Sequence, residues 1–482
     1  MPETETTDRA GSAGKGLRWG LVARVAARLA SFGMGLVLAR LLAPADFGIY
    51  AVALAAQQFL WHVNDAGIVA AIVQWRGRIE EVLPTATTMV LTFSLTVYAV
   101  LWVAAPTFAG FAGNADAAGM VRVMALLIVI DGFVGVRSAV LLRRFQQGRI
   151  AIATMIGVAV QVPVAVGFAM AGAGPYSFAF GALASTGVGG VLMIIWSKAP
   201  IRFGLRREAM GRLLRFGMPL ALGLGVEALL LNADSVIVGQ AFGAAVLGYY
   251  LLALNVSNWV PGLIGEALRH VTLPGFSRVA DERPEDLSAK VQQIIPLLTI
   301  VITPVAVLVA VLAPVVVPLL YGEKWLPSAA ALSFLMVLMA VRMFMNTCSD
   351  VLTSVGAVGS IAMLKISWAV VLLPALYFGA QLDGIRGVAI AHAVVGVVVT
   401  LPLTALLLRR AGVALGPIGP AVVRPLLGGL AAGVVTWLVM SATADAFSLV
   451  RLIAAGGAGL VAYVVVGISP ARLREIRTLV TS

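Results

Sequence analysis

The sequence has little charge and few residues that bind metals or act in catalysis. Charged residues make up 12% of the 482 residues, and Cys348 is the single cysteine. One cysteine excludes an intrachain disulfide and CxxC-type metal sites, and the three histidines (His62, His270 and His392) have no metal-ligand spacing. The sequence contains no Walker A, GxSxG or HExxH motif, so it gives little support to a catalytic function.

Long apolar runs, by contrast, recur from Leu21 almost to the C-terminus. Hydrophobic residues make up 60% of the chain, and the mean hydropathy is +1.00. An apolar run of about 18 residues is long enough to cross a bilayer as a helix, which satisfies its own backbone hydrogen bonds. The 51 glycines suit close packing between such helices. The sequence therefore predicts an all-α polytopic membrane protein.

The lengths of the apolar runs predict about 14 transmembrane helices. No removable signal peptide is expected, because the polar residues 1–18 lead into a long helix without a cleavage site. The predicted spans are 19–42, 47–73, 84–104, 118–141, 150–171, 176–197, 214–238, 244–267, 291–320, 328–354, 360–380, 385–408, 420–441 and 448–468.

The basic residues lie at the predicted helix ends and alternate between the two sides of the membrane. If the N-terminus is cytoplasmic, nearly all of them fall in inside segments, and the outside segments hold only Lys324, Arg386 and Arg451. This asymmetry follows the positive-inside rule and predicts that both termini are cytoplasmic. The net charge of +12 therefore indicates membrane topology, and nucleic acid is not an expected partner.

An internal repeat predicts two halves with the same orientation. Residues Ala43–Tyr50 resemble Gly243–Tyr250, and Ala53-Leu54 matches Ala253-Leu254 in the same register. A parallel repeat of six helices is a known transporter plan. The basic linker between the halves is also expected to attract anionic lipid headgroups. The predicted parts are a tail (1–18), an N-lobe (19–197), the linker (198–213), a C-lobe (214–408), two extra helices (409–468) and a second tail (469–482).

Arginines within the predicted spans are candidates for ligand binding. An ionisable residue costs roughly 2.5–3.5 kcal/mol at the bilayer centre, so its presence calls for a function or a partner. Arg24 and Arg28 lie one turn apart in the first span, and Arg342 lies near the middle of the tenth. Arginine donates bidentately to phosphate groups. One alternative is that these side chains snorkel to the membrane surface. The other is that they pair within the protein, Arg28 with Asp65 and Arg137 with residues of other helices.

Other polar residues form stripes at helical spacing on several spans, which is typical of a wet central cavity. Acidic members of these stripes are candidates for coupling transport to Na⁺ or H⁺, and the choice between the two ions stays open. No resident cofactor or metal is expected. The candidate cavity or ion-coupling residues are Asp65, Glu227, Asp234, Asn255, Asn258 and Asn346.

A set of short motifs lies near the ends of the spans, from about Arg24 to Arg410. The motifs are Leu41–Gly48, Asp65-Ala66-Gly67, Gln74, Asp234, Gly248-Tyr249, Leu273–Ser277 and Leu320–Trp325. Together they resemble the Wzx-like polysaccharide-biosynthesis flippases of the multidrug/oligosaccharidyl-lipid/polysaccharide (MOP) exporter superfamily. The turn Gly356-Ala357 departs from the pattern, in which a basic residue follows the glycine, so no headgroup contact is expected there.

The resemblance implies two six-helix lobes in a V shape, with two extra C-terminal helices. It implies alternating access that moves an undecaprenyl-diphosphate-linked oligosaccharide across the bacterial inner membrane for exopolysaccharide, capsule or O-antigen synthesis. A polysaccharide polymerase and export machinery are then the expected protein partners. The cations available for the lipid diphosphate are Arg24, Arg28, Arg137 and Arg342.

Three alternatives stay open at this point. A flippase for lipid II, the peptidoglycan precursor, also fits two extra C-terminal helices. A cation-coupled multidrug exporter of the same superfamily would use Asp65, Glu227 and Asp234, although the arginines argue against cationic drugs. A membrane polymerase or glycosyltransferase usually carries a sizeable extramembrane loop or an acidic catalytic motif, and the sequence has neither.

Overall fold

The computed structural model describes residues 25–73, 75 and 77–469, and it describes the backbone alone at 59–70, 216–231, 260–274 and 358. This part of the chain is helical and contains no strand, which confirms the all-α prediction. Its first helices are α1 (25–41), α2 (Pro44–Val73), α3 (Ile79–Phe111), α4 (Ala117–Arg143), α5 (Gln147–Met170), α6 (Tyr176–Ser197) and α7 (Arg207–Glu282). The later ones are α8 (Leu287–Tyr321), α9 (Pro327–Ser354), α10 (Val358–Val395), α11 (Leu401–Arg410), α12 (Ile418–Ala442) and α13 (Ser448–Gly467).

Two of the helices contain a break at a glycine that separates two predicted spans. In α7 the backbone leaves the helical region at Gly243, with φ 77° and ψ −174°. In α10 it does so at Asp383 and Gly384, where Gly384 has φ 56°. Glycine adopts positive φ without the steric cost that a Cβ imposes. The chain therefore turns between spans at these points without a separate loop.

Ten segments of the described residues are long and apolar enough to cross a membrane. Some of them cover two predicted spans, as in the 52 residues of Gly359–Arg410. These segments support a multi-pass membrane protein. The count of 14 spans stays a prediction.

The chain divides into two compact units, of which one runs to Gly248 and the other starts at Tyr249. The predicted lobes meet earlier, at the basic linker 198–213, so α7 contributes to both units. The predicted domain boundaries stay predictions. The predicted tail 1–18 lies outside the described residues, and so does the tail 469–482 except for its first residue.

The last two helices of the second unit pack against each other and against α8 through small residues. A Cβ atom at Gly429 would lie 2.4 Å from Thr303 Cγ2, and one at Gly459 would lie 1.9 Å from Thr436 Oγ1. Tyr463 adds a hydrogen bond from its hydroxyl to the carbonyl of Ile300 at 2.8 Å. Close approach of helix backbones through glycine is a common packing mode in membranes, and it attaches α12 and α13 to this unit.

Candidate functional site

Arg137 on α4 is a fully buried cation. Its side chain is 0% exposed, its Nη1 donates to Thr87 Oγ1 on α3 at 3.1 Å, and its guanidinium lies 4.9 Å from the centre of the Phe133 ring. Its Nε and Nη2 groups are buried and find no hydrogen-bond acceptor within the described residues. A buried donor without an acceptor costs about 1–3 kcal/mol, so this site favours an anion or an ordered water. Because the side chain is fully buried, a bulky ligand can reach Arg137 only if the helices around it rearrange.

The other predicted cations have more open surroundings. Arg28 on α1 and Arg342 on α9 are both half-buried, and both contact other residues. A half-buried guanidinium can hold a structural partner and still offer donors to a ligand, because it has five N–H groups. Arg24 lies outside the described residues.

The polar stripes predicted on α2 and α7 meet within the first unit. Asn232 Nδ2 donates to Gln58 Oε1 at 3.4 Å. Asp234, close by on α7, is 4% exposed, and its Oδ1 accepts the backbone N–H of Ser235 at 2.7 Å. The side chains of two further predicted residues, Asp65 and Glu227, lie outside the described part of the chain.

The predicted asparagines differ in their surroundings. Asn258 on α7 is half-buried, and its Nδ2 donates to the carbonyl of Leu254 at 2.9 Å. Asn255 on α7 and Asn346 on α9 are exposed. An exposed amide can bind a sugar hydroxyl as donor or acceptor, so these two residues fit a polar surface better than a structural contact.

Three arginines that the sequence assigned only to membrane topology cap helix ends. We call Arg143, Arg144 and Arg149 the cap arginines. Arg143 donates to the carbonyls of Trp75 and Gly77 after α2, at 2.7 Å for Gly77. Arg144 donates to the carbonyl of Ser197 at the end of α6, and Arg149 to that of Trp196 at 3.2 Å. A cation near the free carbonyls of a helix C-terminus is stabilising.

The motif residues around Gly48 and Gly248 explain the internal repeat. Asp46 Oδ2 accepts the backbone N–H of Ala43 at 2.8 Å, which fixes the turn between α1 and α2. A Cβ atom at Gly48 would lie 1.8 Å from the carbonyl oxygen of Ala244, and one at Gly248 would lie 1.9 Å from that of Pro44. The two repeat-related turns thus meet backbone to backbone, which only glycine permits at these positions.

Two further motifs meet in the second unit. Trp325, at the end of Leu320–Trp325, is fully buried, and its ring packs edge-on against Tyr249 with 6.0 Å between the ring centres. Aromatic pairs favour this T-shaped geometry. Motifs that lie far apart in the sequence therefore form one contact.

The helices of the described residues, ten of which are long and apolar enough to cross a membrane, define the class as a multi-pass membrane protein. The structure is similar to lipid II flippase MurJ in an inward closed conformation, with a TM-score of 0.74 and 12% identity over 92% of this chain and 97% of the other. It is also similar to an inward-facing multidrug resistance MATE family transporter of the MOP superfamily, with a TM-score of 0.63 and 18% identity over 81% and 98%. At these identities the likeness shows the fold alone.

The chain belongs to the polysaccharide biosynthesis protein family, whose model matches residues 37–330. It is 23% identical to lipopolysaccharide biosynthesis protein WzxC of Escherichia coli K12 over 80% of this chain and 79% of that protein. It is 25% identical to succinoglycan biosynthesis transport protein ExoT of Rhizobium meliloti over 70% and 67%. The family resemblance of the motifs is therefore confirmed.

Proposed function

We propose that this protein is a flippase that moves polyprenyl-diphosphate-linked oligosaccharide repeat units across the bacterial inner membrane by alternating access. The observation that carries the proposal is the family match over residues 37–330. Relatives named for lipopolysaccharide biosynthesis and succinoglycan transport support it. The translocated units would then serve exopolysaccharide, capsule or O-antigen synthesis, with a polymerase and export machinery as the next partners.

The arginines of the spans support a lipid diphosphate as the group that is recognised. A diphosphate is a strong anion, and guanidinium binds phosphate oxygens with paired, charge-assisted hydrogen bonds. Arg28 and Arg342 are half-buried and would contact phosphate directly, and Arg24 would extend the contact made by Arg28. Arg137 would join only after a rearrangement, because its side chain is fully buried.

The polar residues support a wet path for the sugar and a site for a coupling ion. Asn255 and Asn346 are exposed amides that would hydrogen-bond to sugar hydroxyls, and Asn258 would do so from a half-buried position. Asp234 is a buried carboxylate and, with Asp65 and Glu227, is the proposed group for Na⁺ or H⁺.

A lipid II flippase is the second candidate function, because the fold is similar to MurJ over 92% of this chain. The family match favours the first candidate, since its model describes polysaccharide biosynthesis. A drug exporter of the MATE type shares the fold at a lower TM-score of 0.63. Assays with the two lipid substrates separate the first two candidates, because these substrates differ in the headgroup.

The test is a flipping assay in proteoliposomes with a fluorescent undecaprenyl-diphosphate oligosaccharide. A membrane-impermeant quencher reports the label that reaches the outer leaflet, and lipid II is assayed in parallel. We expect exposure of the oligosaccharide lipid that depends on the protein and is lost in Arg342→Ala. Arg410→Ala, which removes an exposed cation at the end of α11, is the matched control and should flip normally. Exposure of lipid II alone, or of neither lipid, would contradict the proposal.

A further inference from the structure

Residues 198–207 run from the end of α6 to the first residue of α7, and they interleave basic and apolar side chains that are all exposed except that of Ala199. We call them the linker segment. Its three large apolar side chains are 50–64% exposed (Ile201, Phe203 and Leu205). Its four basic residues are also exposed (Lys198, Arg202, Arg206 and Arg207), and it contains no acidic residue. Exposed aromatic and aliphatic groups interleaved with cations are typical of a segment that lies at a membrane interface.

The backbone of the linker segment is fixed on the start of α3. The N–H of Gly204 donates to Thr88 Oγ1 at 3.0 Å, and the N–H of Arg206 donates to Thr85 Oγ1 at 3.1 Å. These bonds satisfy backbone donors of an extended stretch that has no helix or strand to satisfy them. The segment is therefore held against a membrane-spanning helix while its basic and large apolar side chains remain exposed.

The basic side chains of this segment differ from the cap arginines at the same end of the unit. The cap arginines donate to carbonyls at the ends of α2 and α6, as Arg144 does to Ser197. Within the described residues, the side chains of Lys198, Arg202, Arg206 and Arg207 make no hydrogen bond, ion pair or ring contact. These four cations outnumber the exposed acidic residues beside them, which are Glu208 at the start of α7 and Glu80 and Glu81 at the start of α3. The net field is therefore positive and favours an anionic partner.

We propose that the linker segment binds anionic phospholipids of the membrane leaflet on this side. The segment follows α6 and rests on the start of α3, both of which are long and apolar enough to cross a membrane, so it lies at the depth of the headgroups. The four cations pair with lipid phosphates, and the three apolar side chains enter the acyl boundary, as amphipathic interfacial segments do. Phe145, 91% exposed in the turn between α4 and α5, adds an apolar group at the same end.

The turn before α8 provides a contrast within the same chain. Residues 281–290, from the end of α7 through this turn into the first residues of α8, hold four acidic and two basic residues. This stretch therefore has no charge complementarity to anionic lipid. The lipid contact of the linker segment is independent of the transported substrate, and it would stand if the proposed flippase function failed.

The test places a fluorophore on the linker segment and asks which lipid lies beside it. Ile201→Cys, in a Cys348→Ser background, is labelled with an environment-sensitive dye and reconstituted into phosphatidylcholine vesicles. A minor fraction of the lipid is brominated phosphatidylglycerol in one sample and brominated phosphatidylcholine in the other. We expect quenching by the brominated anionic lipid to be at least about twofold stronger, and this preference should decline as the salt concentration rises.

Substitution of the four basic residues by glutamine (K198Q, R202Q, R206Q and R207Q) should abolish the preference. Arg283→Gln with Lys290→Gln, within residues 281–290, should leave the preference unchanged. Size-exclusion profiles show whether each variant remains folded, and a single R202Q variant should show a partial loss if the fourfold variant fails this check. Equal quenching by the two lipids would overturn the headgroup preference. Absence of quenching by either lipid would overturn the interfacial location and favour an acidic protein as the partner.

Discussion

Arg137 shows how a residue in a candidate site can be separated from one that only supports the fold. Its guanidinium is buried, and among the described residues it makes a single hydrogen bond, to Thr87. Exchange of buried ionic groups for well-packed apolar residues of similar volume is often neutral or stabilising. We therefore expect Arg137→Met to melt close to the native protein in detergent, while its rate of flipping falls.

Thr87→Val is the matched partner of that experiment. It leaves the buried guanidinium without its hydroxyl acceptor, so it should cost about 1–3 kcal/mol of unfolding free energy and lower the melting temperature more than Arg137→Met does. The reverse order of stabilities, or normal flipping by Arg137→Met, would assign Arg137 a purely structural role.

The sequence predicts the presence of these residues well and their surroundings poorly. Apolar run length places Arg137 and Arg342 inside spans, because run length depends only on the local sequence. The burial of Arg137 depends on the packing of α3 against α4, which no local pattern encodes. The cap arginine Arg143 follows the positive-inside rule, yet its bonds to Trp75 and Gly77 depend on where α2 ends in space.

At the scale of elements, the repeat-related turns make a prediction about Gly48. A Cβ atom at this position would lie 1.8 Å from the carbonyl oxygen of Ala244, so Gly48→Ala must displace the backbone. Overpacking of this kind costs about 1–3 kcal/mol, and we expect a lower melting temperature and reduced flipping.

Gly167→Ala is the control for Gly48→Ala. Gly167 lies within α5, and nothing approaches within 4 Å of the Cβ that alanine would add. Alanine should stabilise this helix by about 0.5–1 kcal/mol. An equal response of the two variants would show that the contact between the turns is dispensable.

The attachment of the last two helices makes a second prediction at this scale. At Gly459 a Cβ would lie 1.9 Å from Thr436 Oγ1 and 2.7 Å from Leu308 Cδ2. We expect Gly459→Ala to lower the melting temperature, because α13 must move away from α12 and α8. Gly457→Ala in the same helix meets nothing within 4 Å and should not lower it, so equal loss in both variants would contradict this packing.

The helices could be predicted from the sequence, but some of the irregular segments within and between them could not. The spans on either side of Gly243 and Gly384 follow from apolar runs. In a membrane, the backbone of such a run must satisfy its own hydrogen bonds, and a helix does so. The five-residue π-helix Gly396–Thr400, between α10 and α11, has no comparable sequence signal. It packs beside α9, where a Cβ at Gly396 would lie 3.2 Å from Val341 Cγ1.

At the scale of the whole molecule, the fold alone does not identify the substrate. The fold is similar to a lipid II flippase over 92% of this chain at 12% identity, while the family match is to polysaccharide biosynthesis proteins. A fold can host several functions. The choice therefore depends on which lipid headgroup the polar residues accept, and the intact cell offers the most direct comparison.

We expect the protein to restore polymer export in a bacterium that lacks its own repeat-unit flippase, provided that the two repeat units share their first sugar. It should fail to support growth when the native lipid II flippase is depleted. Polymer yield and colony formation are the two measurements, with Arg342→Ala as the inactive variant and Arg410→Ala as the control. Both substrates carry a diphosphate, so Arg342→Ala tests the diphosphate contact. The comparison of polymer export with growth identifies the lipid that is transported. Growth on depletion without polymer export would assign lipid II, and the proposed function would then be wrong.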